Sequence, residues 1–328
     1  MESCVQILSR EFNKNETHVQ NVVSLIDEGY TIPFIARYRK EMHGTMDDTV
    51  LRDLSDRLTY LRNLAERREE VKKAIAAQDK LTPELEKQIE EAKTLAEVED
   101  IYRPYKQKRR TRATIAKEKG LEPLALVLLE QKKDLPPLET LAEAYVDAEK
   151  GVASVEEALA GASDIIAEIV SDNAEIRRRL RENIAKGAKV GSEAAKEEDS
   201  VYSLYYKFEQ PLSKMQGHQI LAINRGEKEG LLKVSLEVER DLALGVVTQA
   251  VVKPGSRATE FVRAAAADAY DRLILPSMER ETRGTMTDMA CEGAIHNFAI
   301  NLKPLLMQPP VKGHVTMGLD PGYRNGCK

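Results

Sequence analysis

The stretch DDTVLRDLSDRLTYLRNLAERREEVKKAIA, residues 47–76, decides the fold class. Its apolar residues recur every three or four positions, and mostly arginine and glutamate fill the positions between them: Leu51, Leu54, Leu58, Leu61, Leu64, Val71 and Ile75. This spacing predicts one long amphipathic helix, and Asp47 or Asp48 is suited to cap its first turn. A Thr-Pro step then ends the pattern and begins a second helix, residues 84–93, which we expect to return antiparallel as a helical hairpin or short coiled coil.

Composition favours a large, mainly α-helical protein. The chain has 328 residues, of which 42% are hydrophobic, 31% are charged and 5% are aromatic, with no tryptophan. Its length predicts roughly two domains, and its abundant Ala, Leu, Glu, Lys and Arg favour helices over sheets. No apolar run approaches the ~20 residues of a membrane span and no signal peptide is recognisable, so we expect a cytoplasmic protein. The 3 cysteines and 5 histidines lack metal-ligand spacing, so no disulfide framework or metal site is expected.

Two short helices are predicted before residue 47. The first covers residues 16–28, and the second begins after Thr31 with Pro33 in its first turn. The second helix (PFIARYRKE) carries a group of cations: Arg37, Arg39 and Lys40. A helix-turn-helix-like unit that binds nucleic acid and plain packing of three helices both explain this pattern, and the sequence without further context favours plain packing.

Cations are most concentrated in YRPYKQKRRTRA, residues 102–113, which we call the basic segment. It carries the following cations with no acidic residue between them: Arg103, Lys106, Lys108, Arg109, Arg110 and Arg112. Because the whole chain has a formal net charge of −5, unbalanced cations at this density create a local positive field. One interpretation is a solvated loop that pairs with acidic helices beside it. The other is a phosphate-binding segment, with Tyr102 and Tyr105 as rings on which a base could stack.

Shorter and more apolar helices are predicted from residue 120 onward, and Gly161 is expected to divide two of them. The helix after Asp172 bears a second group of cations, which we interpret as a solvated face: Arg177, Arg178, Arg179 and Arg181. Residues 186–199 are rich in glycine, alanine and charge, and they predict a flexible connection.

Alternating apolar residues predict a strand at 232–238. A strong helical pattern follows over residues 256–275, and Pro276 is expected to end it. The last long helix is predicted over residues 279–307, with an interior face made by these side chains: Met289, Ile295, Phe298 and Leu302.

Four stretches together resemble one protein family. They are PFIARYRKEMHGTMDD (33–48), YKQKRRTRATIAKEKGLEPLA (105–125), FEQPLSKMQGHQILAINRGEKEGLLKVSL (208–236) and the closing run that starts ERETRGTMTD at residue 279. The chain resembles bacterial transcription accessory proteins of the Tex type over essentially its whole length. The resemblance implies an N-terminal helical region, then an RNase H-like (YqgF-type) domain, helix-hairpin-helix repeats and an OB-fold RNA-binding domain. It also implies non-enzymatic work on nucleic acid, at or near transcription complexes.

The resemblance sets the expected domains. We expect a helical domain over residues 1–190, a central helical region over 200–310 and, over 311–328, the first strand of the RNase H-like domain, with β structure at 314–320. The sequence stops there, so we expect a chain truncated before the remaining domains. Asp320 matches an aspartate that helps to hold Mg²⁺ in related nucleases, but such a site needs several converging carboxylates, and an Asp-Pro-Gly sequence more often forms a turn.

The sequence therefore predicts a mainly α, multi-helical and elongated scaffold that binds nucleic acid and is not an enzyme. We expect contacts to the phosphate backbone of RNA or DNA, without sequence specificity, from these residues: Arg37, Arg39, Lys40, Arg103, Lys106, Lys108, Arg109, Arg110 and Arg112. No cofactor, metal, membrane or small-molecule substrate is expected. No phosphate-binding glycine motif occurs, so the sequence supports no nucleotide-binding loop. The alternative is a protein-interaction platform that docks on the transcription machinery, with the basic segment against an acidic partner and the hairpin offering an apolar seam.

Overall fold

A computed structural model describes residues 3–106, 109–196, 199–309, 311–322 and 326–327. Helices dominate it, which confirms the mainly α prediction. The chain divides into two compact units. The first comprises Met1–Asn183 with Arg240–Pro276, and the second comprises Ile184–Glu239 with Ser277–Lys328.

The described helices and strands are numbered here in chain order. The helices are α1 (Cys4–Phe12), α2 (Glu16–Asp27), α3 (Ile32–Tyr38), α4 (Lys40–His43), α5 (Asp48–Ala76), α6 (Pro83–Glu91), α7 (Leu95–Tyr102), α8 (Arg112–Glu118), α9 (Glu122–Glu130), α10 (Leu138–Glu143), α11 (Val155–Ser171), α12 (Ala174–Gly187), α13 (Gly217–Lys228), α14 (Arg240–Val251), α15 (Thr259–Asp268) and α16 (Leu275–Leu306). The strands are β1 (Lys189–Ala194), β2 (Lys207–Pro211), β3 (Leu232–Glu237), β4 (Pro321–Gly322) and β5 (Gly326–Cys327).

The first helices of unit 1 pack around the N-terminal half of α5. Leu8 of α1, Val22 of α2 and Ile35 of α3 are fully buried in one apolar cluster with Leu51 and Leu54 of α5. Local sequence sets the boundaries as predicted. The side chain of Asp47 caps α5 by accepting a hydrogen bond from the backbone N–H of Val50, and Thr31 is the N-cap of α3.

The predicted helical hairpin is confirmed. Helix α6 begins at Pro83, after a cap in which Thr82 accepts a hydrogen bond from the N–H of Leu85. Two contacts show that it runs antiparallel to α5. Arg68 of α5 donates to the carbonyl of Ala92, just after α6. Lys72, one turn further along α5, pairs with Glu86 and Glu90, which come earlier in the chain than Ala92. The leucines of α5 are buried in this unit, so they leave no apolar seam of the hairpin open to a partner, contrary to the expectation for a platform.

Helix α11 is the centre of the second half of unit 1, in contact with α8, α9, α10, α15 and the residues that follow α15. The expected break at Gly161 is wrong, because Gly161 lies inside α11. A Cβ there would lie 2.3 Å from the Cδ1 of Leu121. The glycine therefore lets the chain entering α9 approach the helix closely, which explains it without a break.

The cations of α12 are not the solvated face predicted for them. Arg177 is only 1% exposed, and its Nε donates a 2.8 Å hydrogen bond to Asp100 of α7, itself 5% exposed. Arg181 donates to the other carboxylate oxygen of Asp100 at 2.9 Å. One buried carboxylate therefore joins α7 to α12. Arg178 does lie at the surface, where it pairs with glutamates of its own helix.

Unit 2 contains an antiparallel sheet in the order β2-β1-β3. The strand predicted at 232–238 is confirmed as β3. The flexible connection predicted at 186–199 is wrong in its first part, because Lys186 and Gly187 end α12 and Lys189–Ala194 forms the central strand β1. Its glycine and charges concealed the pattern: Val190 and Ser192 are buried, while Lys189 pairs with Glu209 of β2. Residues 197 and 198 of this prediction lie outside the described residues.

The C-terminal helix ends close to the predicted residue 307, at Leu306, but it begins earlier than predicted, at Leu275 rather than at residue 279. Pro276 does not end a helix: α15 continues through a π-helical segment, Ala269–Ile274, into α16, and Pro276 is the second residue of α16. The interior face predicted for α16 is wrong, because Met289, Ile295 and Phe298 are exposed.

The β structure predicted at 314–320 is wrong. These residues are exposed and form no strand, since no described strand lies beside them to bond their backbone.

Candidate nucleic-acid interface

The basic segment connects α7, which ends at Tyr102, to α8, which begins at Arg112. Arg103–Tyr105 continues α7 as a single 3-10 turn that contains Pro104. Thr111 caps α8 through reciprocal hydrogen bonds with Thr114, and its hydroxyl donates to Glu168 of α11 at 3.1 Å. Both ends of the loop are therefore fixed to packed helices of unit 1.

The first cations of the basic segment have partners within the protein. Arg103 lies 3.4 Å from Asp172, whose side chain is largely buried. Lys106 forms an ion pair with Glu99, and its ammonium lies 5.5 Å from the centre of the Tyr102 ring. These contacts tie the chain to the end of α11 and to α7, so Arg103 and Lys106 contribute less free charge than the sequence suggests.

Glu99 is the acceptor that organises this end of the segment. It also accepts a 2.7 Å hydrogen bond from the Nε of Arg67 on α5. Burial opposes ionisation of Glu99, but the hydrogen bonds from Lys106 and Arg67 outweigh it and lower the pKa of Glu99 below its ordinary value of 4.5. The carboxylate is therefore ionised at neutral pH and neutralises part of the basic segment.

The later cations of the segment face solvent. Arg109 and Arg112 are exposed and form no ion pair with any other described residue. Arg110 is 74% exposed and lies 3.5 Å from Glu118, itself 63% exposed. An ion pair this exposed is weak and readily exchanged. Lys108 lies outside the described residues. Three arginines are thus accessible at the end of the loop that leads into α8.

The tyrosines expected to offer stacking surfaces do not project from the loop. Tyr102 and Tyr105 are partly buried against the apolar cluster of the helical hairpin. Arg67 lies 5.7 Å from the centre of the Tyr102 ring, and Gln78 of the region after α5 donates a 2.9 Å hydrogen bond to the carbonyl of Tyr105. Their contacts are those of packing residues.

The cations predicted near the N-terminus lie at the end of α3 and the start of α4. Arg37 and Lys40 are exposed and pair with no carboxylate among the described residues. Arg39 lies over aromatic rings instead: its guanidinium carbon is 5.3 Å from the centre of the Phe34 ring and 5.8 Å from that of Tyr30. All three cations are therefore placed at a surface that contains aromatic side chains.

No catalytic arrangement involves Asp320 in the described part of the chain. Asp320 is exposed and belongs to no helix or strand. The described residues contain no group of three or more His, Cys, Asp or Glu side chains that could hold a metal ion. They also form no helix long and apolar enough to cross a membrane.

Comparison with known proteins identifies the family. Residues 2–76 match the family described as Tex-like protein N-terminal domain, and residues 133–298 match the family described as Tex central region-like. The chain belongs to the Tex family. The resemblance drawn from its sequence is therefore confirmed, and the basic segment lies between the two matched regions of this Tex-family chain.

Three relatives show how far the similarity extends. The chain is 44% identical to YdcI of Bacillus subtilis, over 98% of this chain and 46% of the relative. It is 38% identical to the transcriptional accessory protein Tex of Neisseria gonorrhoeae, over 98% of this chain and 43% of the relative. It is 32% identical to the human S1 RNA-binding domain-containing protein 1, over 99% of this chain and 34% of the relative. The chain thus spans less than half the length of these relatives.

The sequence left open that the basic segment pairs with acidic helices beside it, but it did not identify the acidic partners. Glu99 lies three residues before the segment, Glu118 lies at the end of α8, and Asp172 is distant in sequence. The acidic residues at 97, 99 and 100 gave a local signal that the first cations would be neutralised. No local signal pointed to Asp172.

Proposed function

We propose that this chain is the N-terminal scaffold of a non-enzymatic transcription accessory protein, and that it binds the phosphate backbone of nucleic acid through Arg109, Arg110 and Arg112. The observation that carries the proposal is the exposure of these arginines beside Thr111, whose hydrogen bonds fix the start of α8. Arg37, Arg39 and Lys40 form the second contact group. The printed names of relatives, a transcriptional accessory protein and an S1 RNA-binding protein, support this class of partner.

Coulomb attraction to phosphates accounts for the expected behaviour. Arginine offers a fixed fork of donors that matches phosphate oxygens and carries its charge at every physiological pH. Contacts of this kind position a protein without reading sequence. We therefore expect weak binding that differs little between sequences and falls steeply with salt, because each neutralised phosphate releases counterions.

The test is replacement of the three arginines by glutamine in the 328-residue chain. The matched control replaces three other exposed arginines that already pair with carboxylates, so that the net charge is the same: Arg52, Arg178 and Arg263. Binding of fluorescein-labelled RNA and DNA is measured by anisotropy at one low salt concentration. The loop variant should lose affinity by tenfold or more while the control stays near wild type; equal losses would refute a specific role for the loop.

A second candidate function is a protein-interaction platform, and helix α16 favours it. Large apolar side chains on this helix are exposed in unit 2: Met289, Ile295, Phe298, Ile300, Leu305 and Leu306. Exposed large apolar side chains that gather on one element are a feature of interaction sites in soluble proteins. Ile295→Ser with Phe298→Ser should abolish binding of a transcription-complex component without changing nucleic-acid affinity. If it leaves that binding unchanged in nuclease-treated samples, the platform does not use α16.

A further inference from the structure

Three aromatic rings form a ladder along α3. Phe34 and Tyr38 are four residues apart on α3, so they lie on the same side of the helix. Tyr30 lies just before Thr31, the N-cap of α3. The rings of Tyr30 and Phe34 have centroids 5.0 Å apart and planes 10° apart. The rings of Phe34 and Tyr38 have centroids 5.1 Å apart with planes tilted by 46°.

The ladder is not part of the protein core. Helix α3 packs into unit 1 through Ile35, which is fully buried, and through partly buried Ile32 and Ala36. The apolar cluster that they join contains none of the three ladder rings. Tyr38 is 61% exposed and Tyr30 is 38% exposed. Large rings at the surface are not needed to fill the interior, and the rings of Tyr30 and Phe34 are already stacked on each other.

Positive charge surrounds the ladder. Residues 29–40 contain Arg37, Arg39 and Lys40 but no acidic residue. Arg39 lies over Tyr30 and Phe34 and donates a 3.2 Å hydrogen bond to the carbonyl of Tyr38. Glutamates lie only just outside, at positions 28 and 41. An acidic residue would repel phosphate, so this pairing of rings with cations complements a polyanion that also carries flat apolar groups.

We propose that the ladder Tyr30–Phe34–Tyr38 stacks unpaired bases of single-stranded nucleic acid, while Arg37 and Lys40 neutralise the adjoining phosphates. Base faces are hidden within a duplex and exposed in a single strand, so the ladder selects single strands. Any base offers a π face, which makes the contact independent of sequence. This inference rests on the proposed function and adds a base-stacking site to it.

Tyr38→Trp gives a direct probe of stacking, because the chain contains no tryptophan. Its fluorescence should be quenched when a single-stranded 12-mer of deoxythymidine binds, and should not change when an abasic 12-mer of the same length binds. The matched control is Phe298→Trp, placed at an exposed aromatic position on α16, which should show no quenching with either. Binding of the thymidine 12-mer with no change in the Tyr38→Trp signal would overturn the inference.

Tyr38→Ala tests the energetic role of the ring. It should weaken binding of the single-stranded 12-mer by about five- to a hundredfold, leave affinity for the abasic 12-mer and for duplex DNA unchanged, and leave the salt slope unchanged because no charge is removed. Its urea unfolding should match wild type, since the ring is mostly exposed. Equal binding of single strands by Tyr38→Ala and wild type would refute the ladder alone.

The two proposals fail in different ways. If the oligonucleotides bind with an affinity that depends on the loop arginines but not on Tyr38, the ladder is refuted and the proposed function stands. If no oligonucleotide binds at all, both are refuted. If Tyr38→Ala abolishes binding of a purified protein partner and leaves oligonucleotide binding intact, the ladder is a protein contact and the inference is refuted.

Discussion

Replacing Asp100 with asparagine should destabilise unit 1 far more than the same change at the surface. The Asp100 carboxylate is 5% exposed and accepts hydrogen bonds from Arg177 and Arg181 at 2.8 and 2.9 Å. Asparagine keeps the shape and one acceptor oxygen but removes the negative charge. Arg177 is then left as a buried cation without this counter-charge, which is the situation that makes a broken buried ion pair costly.

The magnitude follows from burial. Breaking a buried pair costs about 3–5 kcal/mol. We expect about 3 kcal/mol for Asp100→Asn, the low end of that range. One hydrogen bond survives in the variant, and water can reach the partly exposed side chain of Arg181. The control is Asp27→Asn, which removes the carboxylate from a bidentate pair with Arg62. That pair is nearly half exposed on both sides, so its loss should cost no more than about 1 kcal/mol.

Urea unfolding followed by circular dichroism at 222 nm measures both variants. If the free energy of unfolding falls by about 3 kcal/mol per molar urea, Asp100→Asn should lower the midpoint by about 1 M and Asp27→Asn by about 0.3 M or less. Equal shifts for the two variants would refute the reasoning, because they would show that the Asp100 carboxylate does not compensate a desolvated guanidinium.

Glu99→Gln should remove a pH-dependent part of the stability. Lys106 and Arg67 lower the pKa of Glu99, so its contribution to the free energy of unfolding is complete above the ordinary pKa of 4.5 and is lost as pH falls through the lowered pKa. The difference in urea stability between wild type and variant should therefore narrow from about pH 7 to about pH 3. A difference that stays constant with pH would contradict the assignment. Ile165→Ala, in the fully buried part of α11, should cost about 2–5 kcal/mol. Phe298→Ser, on the exposed side of α16, should change stability by no more than about 0.5 kcal/mol, and comparable losses would show that α16 is packed.

Helices with strong local patterns could be predicted from the sequence. The spacing of leucines in α5 and the Thr-Pro start of α6 fix elements whose boundaries depend on neighbouring residues. The same holds for β3, where apolar and polar residues alternate. In each case periodicity and capping act over a few residues, so the sequence alone contains the physical cause.

Features that depend on tertiary contacts could not be predicted. The sequence around Arg177 predicts a cation at the surface, and its burial depends on Asp100, which is distant in sequence. Strand β1 has a weak apolar pattern and exists because β2 and β3 bond to both of its edges. A glycine at position 161 predicts a helix break from local sequence, whereas in the structure it lies inside α11 because Leu121 packs where a Cβ would be.

The candidate site was predicted in outline. The sequence located the basic segment, but it gave all its cations equal weight. In the structure, contacts with Glu99 and Asp172 occupy the first cations, and the arginines from 109 onward remain exposed. For the aromatic residues the prediction chose the wrong rings. Tyr102 and Tyr105 pack against the hairpin, whereas the four-residue spacing of Tyr30, Phe34 and Tyr38 marks the rings that lie at the surface.

The salt dependence of nucleic-acid binding tests the central claim most directly. Dissociation constants of the 328-residue chain for single-stranded and duplex oligonucleotides are measured across a series of salt concentrations, for wild type and for the variant with glutamine at Arg109, Arg110 and Arg112. If three phosphate contacts are lost, the slope of log K against log salt should become shallower by about 2 for single strands and by about 3 for duplex DNA. A variant with the wild-type slope would contradict the account.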